Sequence, residues 1–469
     1  MKILIFSMTP LFPSHAMGGA QKQLKLIALH LAEQGHIVTV VCTRRQDTMQ
    51  PFNWHDRVRV LPIFRFKQPY PEPYATPAYN IAAAVQDVGE MLHHNDVFYI
   101  HDGGLIFPYS YQDIPTVISL RSVVYSETLQ AGFLFQGDSL ILISEHERRF
   151  YEDTAGRFSP DYAGRITLIP NGFDWSEYKP RTTERIRKIV DVDRTQTPVI
   201  LHPHRPEPDK GLQQTIDVVD LLVHKHGLSN VKTLVPKWID STIATHVREF
   251  YDNVETQLQQ RGIRDNFIFH DWVPEDLMPE YYNLGSVTLC LGSFVETFGN
   301  VPYESLGCGT PAVIARVGPH RSNLPDVLVD KVDFDDADAA AEHAAQIIHE
   351  QRRTSTDMLE YLHRQYSIEQ MMQAYAATIT GASKRGPLGY HIPRIDDTTT
   401  FKLASWCYLS PRGIYHDFRA DYTHISALES LVTHYPAGFT FAQANVSHET
   451  VMDWYRDGYL VPHQTGQAS

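Results

Sequence analysis

Cysteine is scarce in this 469-residue chain: Cys42, Cys290, Cys308 and Cys407 stand far apart and form no CxxC pair. Neither a disulfide framework nor a cysteine zinc site is suggested, and a reducing, cytoplasmic setting is expected. Long apolar runs are missing as well. The opening "MKILIFSMTP" ends its apolar stretch at Pro10, too soon for a secretory signal, and nothing is long enough to span a bilayer. A soluble chain without a transmembrane segment is expected. Positive charge is in deficit: 41 Lys and Arg against 55 Asp and Glu leave a net charge of -14. That excludes a general field gripping nucleic acid or an anionic membrane, so any polyanion must be met by a local pocket. There is no internal repeat, and no GxGxxG. The first apolar run leads into "MGGAQK", and the second ends in "CTRR" with Arg44 and Arg45, where a dinucleotide fold needs an acid for the ribose. A dinucleotide-dependent oxidoreductase is disfavoured; an NADP form of it survives only weakly.

What is present is α/β patterning. With 43% hydrophobic residues, the length suffices for two core-forming domains and a remainder. "KILIFSM", "IVTVVCT", "DVFYIH", "PTVISL" and "SLILIS" read as buried parallel strands. Between the first two, Leu24, Ile27, Ala28 and Leu31 recur at helical spacing, with Gly35 closing the helix. After the polar stretch "RTTERIRKIVDVDRTQT" a second series begins: "PVILHP", "VKTLVP", "NFIFHD", "SVTLCLG", "TPAVIAR". The expected domains are 1–190 and 191–380, with a closing helix in "SIEQMMQAYAATI", a linker at 381–395 and a small module at 396–469. The Pro- and Tyr-rich stretch 62–78 is too long for an ordinary connection. It reads equally as a substrate-facing insertion or a solvated loop.

One stretch asks for a chemical reading. "ETFGNVPYE" places Glu296 and Glu304 eight positions apart, with Gly299, Asn300 and Pro302 between them. A helix beginning near Asn300 as N-cap, with Pro302 in its first turn, is expected. In an open parallel sheet ligands bind beyond the carboxyl ends of the strands, so both glutamates would face such a crevice. Helix-terminal amides attract phosphate, whereas carboxylates repel it. The two glutamates therefore suit something neutral, such as the diol of a ribose or the hydroxyls of a sugar. "LHPHRPEPDKGL" supplies Arg205 and Lys210 after the second domain's first strand, and both could converge on a diphosphate. Read alone, they are solvated charges of a surface loop.

"ETFGNVPYE" resembles the E-x7-E motif of glycosyltransferase family 4, retaining enzymes of the GT-B fold, and "LGCGTPAVIARVG" resembles its continuation. "HRPEPDKG", "LIPNGFD" and "GGAQKQ" are similar to further family segments, in the expected order. Over residues 1–380 the resemblance implies two Rossmann-like doubly wound domains facing a cleft, the first on the acceptor side and the second binding a nucleotide-sugar donor. Residue by residue it implies Glu304 on the donor ribose, Glu296 on the transferred sugar, amides near Phe298, Gly299 and Asn300 helping, and Arg205 and Lys210 on the diphosphate. Gly18 and Gly19 would let backbone approach the donor. The implied scheme is retaining transfer of a hexosyl group from a UDP- or GDP-sugar to a hydroxyl of an unidentified acceptor. It involves no cofactor and no metal, so "DVD" at 191–193 and "DFDD" at 333–336 read as solvated loops. The sequence departs from the family at one point. Arg121 stands where many members carry a histidine at a strand end, which leaves open an anion-binding role, altered transfer, or a scaffold that binds without turnover. His101 also ends a strand and reads equally as a cleft residue or a structural one.

Residues 396–469 pattern as helix, short helix, amphipathic helix and strand-like tail, a winged-helix-like arrangement. With eight acidic against four basic residues the module lacks a nucleic-acid-binding charge. Protein or peptide recognition, or packing on the rest of the chain, is expected instead.

Overall fold

The computed structural model of the chain describes residues 1–16, 18–67, 76–103, 107–237 and 244–463. Its contacts form two units, Met1–Pro170 together with Glu369–Ser469, and Asn171–Ile368.

The first unit holds an eight-stranded sheet of β1 (Lys2–Pro10), β2 (Ile37–Thr43), β3 (Phe52–His55), β4 (Val58–Phe64), β5 (Val97–His101), β6 (Thr116–Ser119), β7 (Ser139–Leu142) and β8 (Ile166–Leu168). Their order is β3-β4-β2-β1-β5-β6-β7-β8, and all pairs are parallel except β3 with β4. Both faces of such a sheet are covered, which is why β1 and β5 read as unbroken apolar runs rather than alternating ones. Leu24, Ile27, Ala28 and Leu31 are the buried stripe of the helix Gly19–Glu33. That helix closes in a Schellman turn: Gly35, at φ 91°, donates to Ala32, and His36 donates to Leu31. The stretch 62–78 begins inside β4 and ends in the helix Ala78–Leu92. Its residues 68–75 lie outside the described ones.

The second unit holds six parallel strands, β9 (Val199–Leu201), β10 (Lys232–Lys237), β11 (Phe267–Asp271), β12 (Val287–Cys290), β13 (Ala312–Ala315) and β14 (Asp330–Val332), in the order β11-β10-β9-β12-β13-β14. β14 lies in a stretch that reads as an acidic loop in the sequence. Asp336 caps the helix Ala337–His349 by accepting from the Ala339 amide, and Asp193 accepts from Thr195; these are local structural uses for the two aspartate-rich stretches.

Both sheets are doubly wound and reverse direction once. The chain leaves β1 toward β2 and β4 on one side and returns to β5 on the other; likewise β9 leads to β10 and β11, and the return is to β12. Loops following the strands at such a switch part from each other and leave a crevice. The four loops in question follow β1, β5, β9 and β12.

The contact boundaries differ from 190 and 380. Residues 171–190 belong with the second sheet, where Phe173 stacks on Tyr303 at 5.4 Å and Ile186 packs with Val199 and Leu201. The helix Ile368–Thr380 belongs, from Glu369 onward, with the first: Gln23 Nε2 donates to Met371 Sδ at 2.6 Å. Residues 381–395 run along the first unit, with Leu388 N donating to Gln136 at 2.8 Å. Then come β15 (Thr400–Leu403), the antiparallel meander β16 (Cys407–Ser410), β17 (Gly413–His416) and β18 (Asp421–Thr423), three helices at Ser426–His434, Phe441–Ala444 and His448–Arg456, and β19 (Leu460–His463), which pairs with β15. The helices and tail match the sequence pattern; the meander was not legible in it. Within the first unit this part packs on residues 1–170 through Lys402 and Asp153 at 2.8 Å and through Trp406 against Phe150 at 5.6 Å. Packing on the rest of the chain is thus the alternative observed. Among the described residues no helix is long and apolar enough to cross a membrane.

Candidate functional site

The switch point of the second unit gathers the charges. β9 leads into the loop of His202, His204 and Arg205, which ends in a short 3-10 turn at Pro208–Lys210. β12 leads into the loop carrying Phe294 and Glu296. The two loops touch backbone to backbone. A Cβ on Gly211, whose φ is 85°, would stand 2.5 Å from the Gly292 nitrogen, so a side chain there would part them. This approach brings Lys210 Nζ within 2.7 Å of Glu296 Oε1 and 3.5 Å above the Phe294 ring. Lys210 is 9% exposed and Glu296 34%. Burial alone would raise the Glu296 pKa, but the Lys210 ammonium, aided by His320 and His204, holds it below the usual carboxylate range.

Two histidines face the same charges. His204 Nε2 lies 3.3 Å from the Leu289 carbonyl; burial, then the Lys210 charge, push its pKa down to about 4. His320, in the turn Gly318–Arg321 after β13, is likewise held down to about 4, chiefly by burial. Arg205 does not join Lys210 on one carboxylate: it pairs with Glu207 of its own loop at 3.2 Å and is 43% exposed.

The helix after Glu296 is Asn300–Gly307. Its N-cap is Gly299, left-handed at φ 75°, and not Asn300 as the sequence pattern predicts; Asn300 is the first helical residue. The physical reason is backbone geometry, since the turn out of the loop needs a positive φ that only glycine adopts without strain. The Asn300 side chain instead accepts from Asn171 Nδ2 at 3.0 Å. Phe298 turns its ring inward against Tyr303, at 4.6 Å, so it offers a ligand only backbone. The first amides of the helix lack intrahelical acceptors and are available to an anion. Glu304 is the fifth helical residue and accepts from the Tyr282 hydroxyl at 2.8 Å. Tyr178 also contacts it. Burial first, then the Glu304 charge, hold both phenols far above their ordinary pKa.

In the first unit, Gly18 caps the helix Gly19–Glu33 in extended backbone, and a Cβ there would meet nothing within 4 Å. Neither conformation nor packing within the unit demands a glycine there. His101 is 3% exposed and uses both nitrogens. Nε2–H donates to the Ala20 carbonyl at 2.9 Å and Nδ1 accepts from the Tyr99 hydroxyl at 2.8 Å, so it ties β5 to the start of that helix. Arg121, after β6, donates through Nη2 to the Tyr375 hydroxyl at 2.6 Å. Beside it stands Asp102, at φ 64°, whose pKa burial pushes up to about 7. Glu147, fully buried, accepts from the Ile143 amide at 2.7 Å. Sequence reasoning missed Asp102, Glu147, His204, His320, Tyr178 and Tyr282; of these only His204 lies in a quoted family-like segment, where it opens "HRPEPDKG". Apart from that, only the position of Asp102 at a strand end offered a signal.

Comparison with known proteins bears on these arrangements. The family model described as "Glycosyl transferases group 1" matches residues 184–365, and that described as "Glycosyltransferase Family 4" matches 17–177; together they span most of the chain. A D-inositol 3-phosphate glycosyltransferase of Acidothermus cellulolyticus is 29% identical over 194 residues, 40% of either chain. The chain thus spans less than half the length of that curated relative. Among solved structures, a sucrose-phosphate synthase from Thermosynechococcus elongatus aligns with TM-score 0.67 at 16% identity, covering 81% of this chain and all of the other. Anabaena HepE in complex with UDP and glucose aligns with TM-score 0.62 at 18% identity, over 81% of this chain and all of that one. At such identities these likenesses establish the fold, which is of the GT-B class.

Proposed function

Because this chain belongs to the group 1 glycosyltransferases of family 4, we propose that it moves a sugar, with retention of configuration and without a metal ion, from a UDP- or GDP-sugar to an acceptor hydroxyl. The observation that carries the reading is the switch point of the second unit. There the pair of buried Lys210 and half-buried Glu296, the left-handed Gly299 and the phenol-held Glu304 follow β9 and β12.

In this reading Glu304 accepts both hydroxyls of the donor ribose, and the amides opening the helix Asn300–Gly307 receive the diphosphate. Lys210 and the exposed Arg205 supply positive charge to that diphosphate. Glu296 holds hydroxyls of the transferred sugar. As the bond from the anomeric carbon to the phosphate oxygen breaks, negative charge builds on the diphosphate, where the two cations and the amides stabilise it. The acceptor hydroxyl forms the new bond on the same face and gives its proton to the departing diphosphate. Each charge-assisted contact contributes about 1.5 to 3 kcal/mol. Gly18, with nothing within 4 Å of where its Cβ would stand, leaves its own backbone open to a ligand.

A second reading, binding without turnover, stays open because Arg121, which donates to Tyr375 beside the acids Asp102 and Glu147, stands where many family members carry a histidine. Thermal unfolding of the wild type and Glu304→Ala with UDP, GDP, ADP, UDP-glucose, GDP-mannose and NADP tests donor binding. At 100 times the dissociation constant the right ligand stabilises by about 2.7 kcal/mol. A shift with one nucleoside diphosphate, lost in the variant, is expected. No shift with any, or one with NADP alone, overturns the donor site. Release of nucleoside diphosphate from the sugar nucleotide separates turnover from binding alone.

A further inference from the structure

His320 has no assigned task in the reading above, yet it is built into the same site. It is 9% exposed, and its Nδ1 is enclosed without a hydrogen-bond partner among the described residues, which is unusual for a buried imidazole nitrogen. The ring occupies the space that a side chain on Gly299 would need: a Cβ there would stand 2.7 Å from His320 Nε2. Gly299 is therefore a glycine twice over, once for its positive φ and once for the ring lying on its α-carbon. The charged and titratable groups facing that ring are Glu296, Lys210, Lys331, Arg321 and His204. Burial chiefly, with the cations Lys331, Lys210 and Arg321 opposing the single carboxylate, keeps the imidazole neutral through the physiological range.

We propose that His320 is a contact of the donor's transferred sugar, its ring meeting a sugar hydroxyl above Gly299 beside Glu296. This rests on the donor-site reading above. A neutral imidazole carries one N–H and one lone pair, which suits a hydroxyl that can accept and donate in turn. A phosphate would instead reward a protonated ring, which this environment opposes. The position next to Glu296, the carboxylate taken to hold the sugar, points the same way. Glu304, by contrast, serves the nucleoside, so the two halves of the donor are read by different residues and can be tested apart.

The test compares dissociation constants for a nucleoside diphosphate and the matching nucleotide sugar, UDP with UDP-glucose and GDP with GDP-mannose, by titration calorimetry. The wild type, His320→Phe and His320→Gln are measured. His320→Phe keeps a ring over Gly299 and removes both nitrogens; His320→Gln restores a donor and an acceptor. The expected result is an affinity for the free diphosphate within about twofold of wild type. The sugar nucleotide should weaken about three- to tenfold in His320→Phe, as the loss of one neutral hydrogen bond predicts, and recover in part in His320→Gln. Equal affinities for wild type and His320→Phe on both ligands, or equal losses on both, overturn the sugar contact and leave the donor site standing. A wild type that binds none of the four nucleotides overturns the donor-site reading, and the sugar contact with it.

Discussion

Replacing Lys210 with Met removes an ammonium while keeping most of the stem, and the structure sets the size of the effect. The lysine is nine-tenths buried, 2.7 Å from Glu296 and 3.5 Å above Phe294. A charge-assisted bond contributes about 1.5 to 3 kcal/mol. Because a third of Glu296 is exposed and can rehydrate, the loss is discounted to about 1 to 2 kcal/mol. In a unit of this size that lowers the melting temperature by about 2 to 8 °C. The pH dependence identifies the cause. The folded pKa of Glu296 lies below its unfolded value of 4.5, so its contribution is fully present above 4.5 and is lost as pH falls through the folded value. The gap between wild type and Lys210→Met should be full at pH 7 and close as pH drops below about 4.

Calorimetric melts of wild type, Lys210→Met, Glu296→Gln and the double variant, between pH 7 and 3.5, measure both quantities. The double-mutant cycle should return a coupling of about 1 to 2 kcal/mol at pH 7. A gap that does not change with pH, or a coupling indistinguishable from zero, would refute the claim that this pair sets the ionisation of Glu296.

Other substitutions probe neighbouring features. Gly299→Ala forces a side chain into left-handed backbone at φ 75° and against His320; a destabilisation of at least about 1 to 2 kcal/mol is expected in denaturant melts. Tyr282→Phe removes the hydroxyl donated to Glu304 at 2.8 Å. About 1 kcal/mol of stability and a several-fold loss of nucleoside diphosphate affinity should follow, read by melting and calorimetry. Asp102→Asn keeps a residue tolerant of positive φ and removes a carboxyl whose folded pKa, about 7, exceeds its unfolded 3.8. Such a group contributes stability below 3.8 and loses it as pH rises through 7, so the variant's melting temperature should gain on wild type between pH 5 and pH 8. A constant difference across that range would count against the raised pKa.

What the sequence disclosed follows from how locally each feature is encoded. The strands β1, β2, β5, β6, β7 and β9 to β13 were legible because burial on both faces demands unbroken apolar runs. β3 at the sheet edge, β4 beside it with alternating burial, and the partly exposed β8 and β14 were not, since none of them demands an unbroken apolar run. The site divides in the same way. Glu296, Gly299 and Glu304 share one loop and helix, and Lys210 follows its own strand by nine residues, so spacing along the chain sufficed to find them. Tyr282 reaches Glu304 from another helix, and His320 reaches Gly299 from the turn after β13. No spacing rule links positions whose only relation is that the sheet brings them together. Arg121 is the instructive case. Its residue type and strand-end position were plain, but its commitment to Tyr375 depends on a helix 254 positions away, packed in the same unit as β6. An arginine read as free to bind an anion is, in the folded unit, already hydrogen-bonded, and any phosphate it took would have to compete with that phenol.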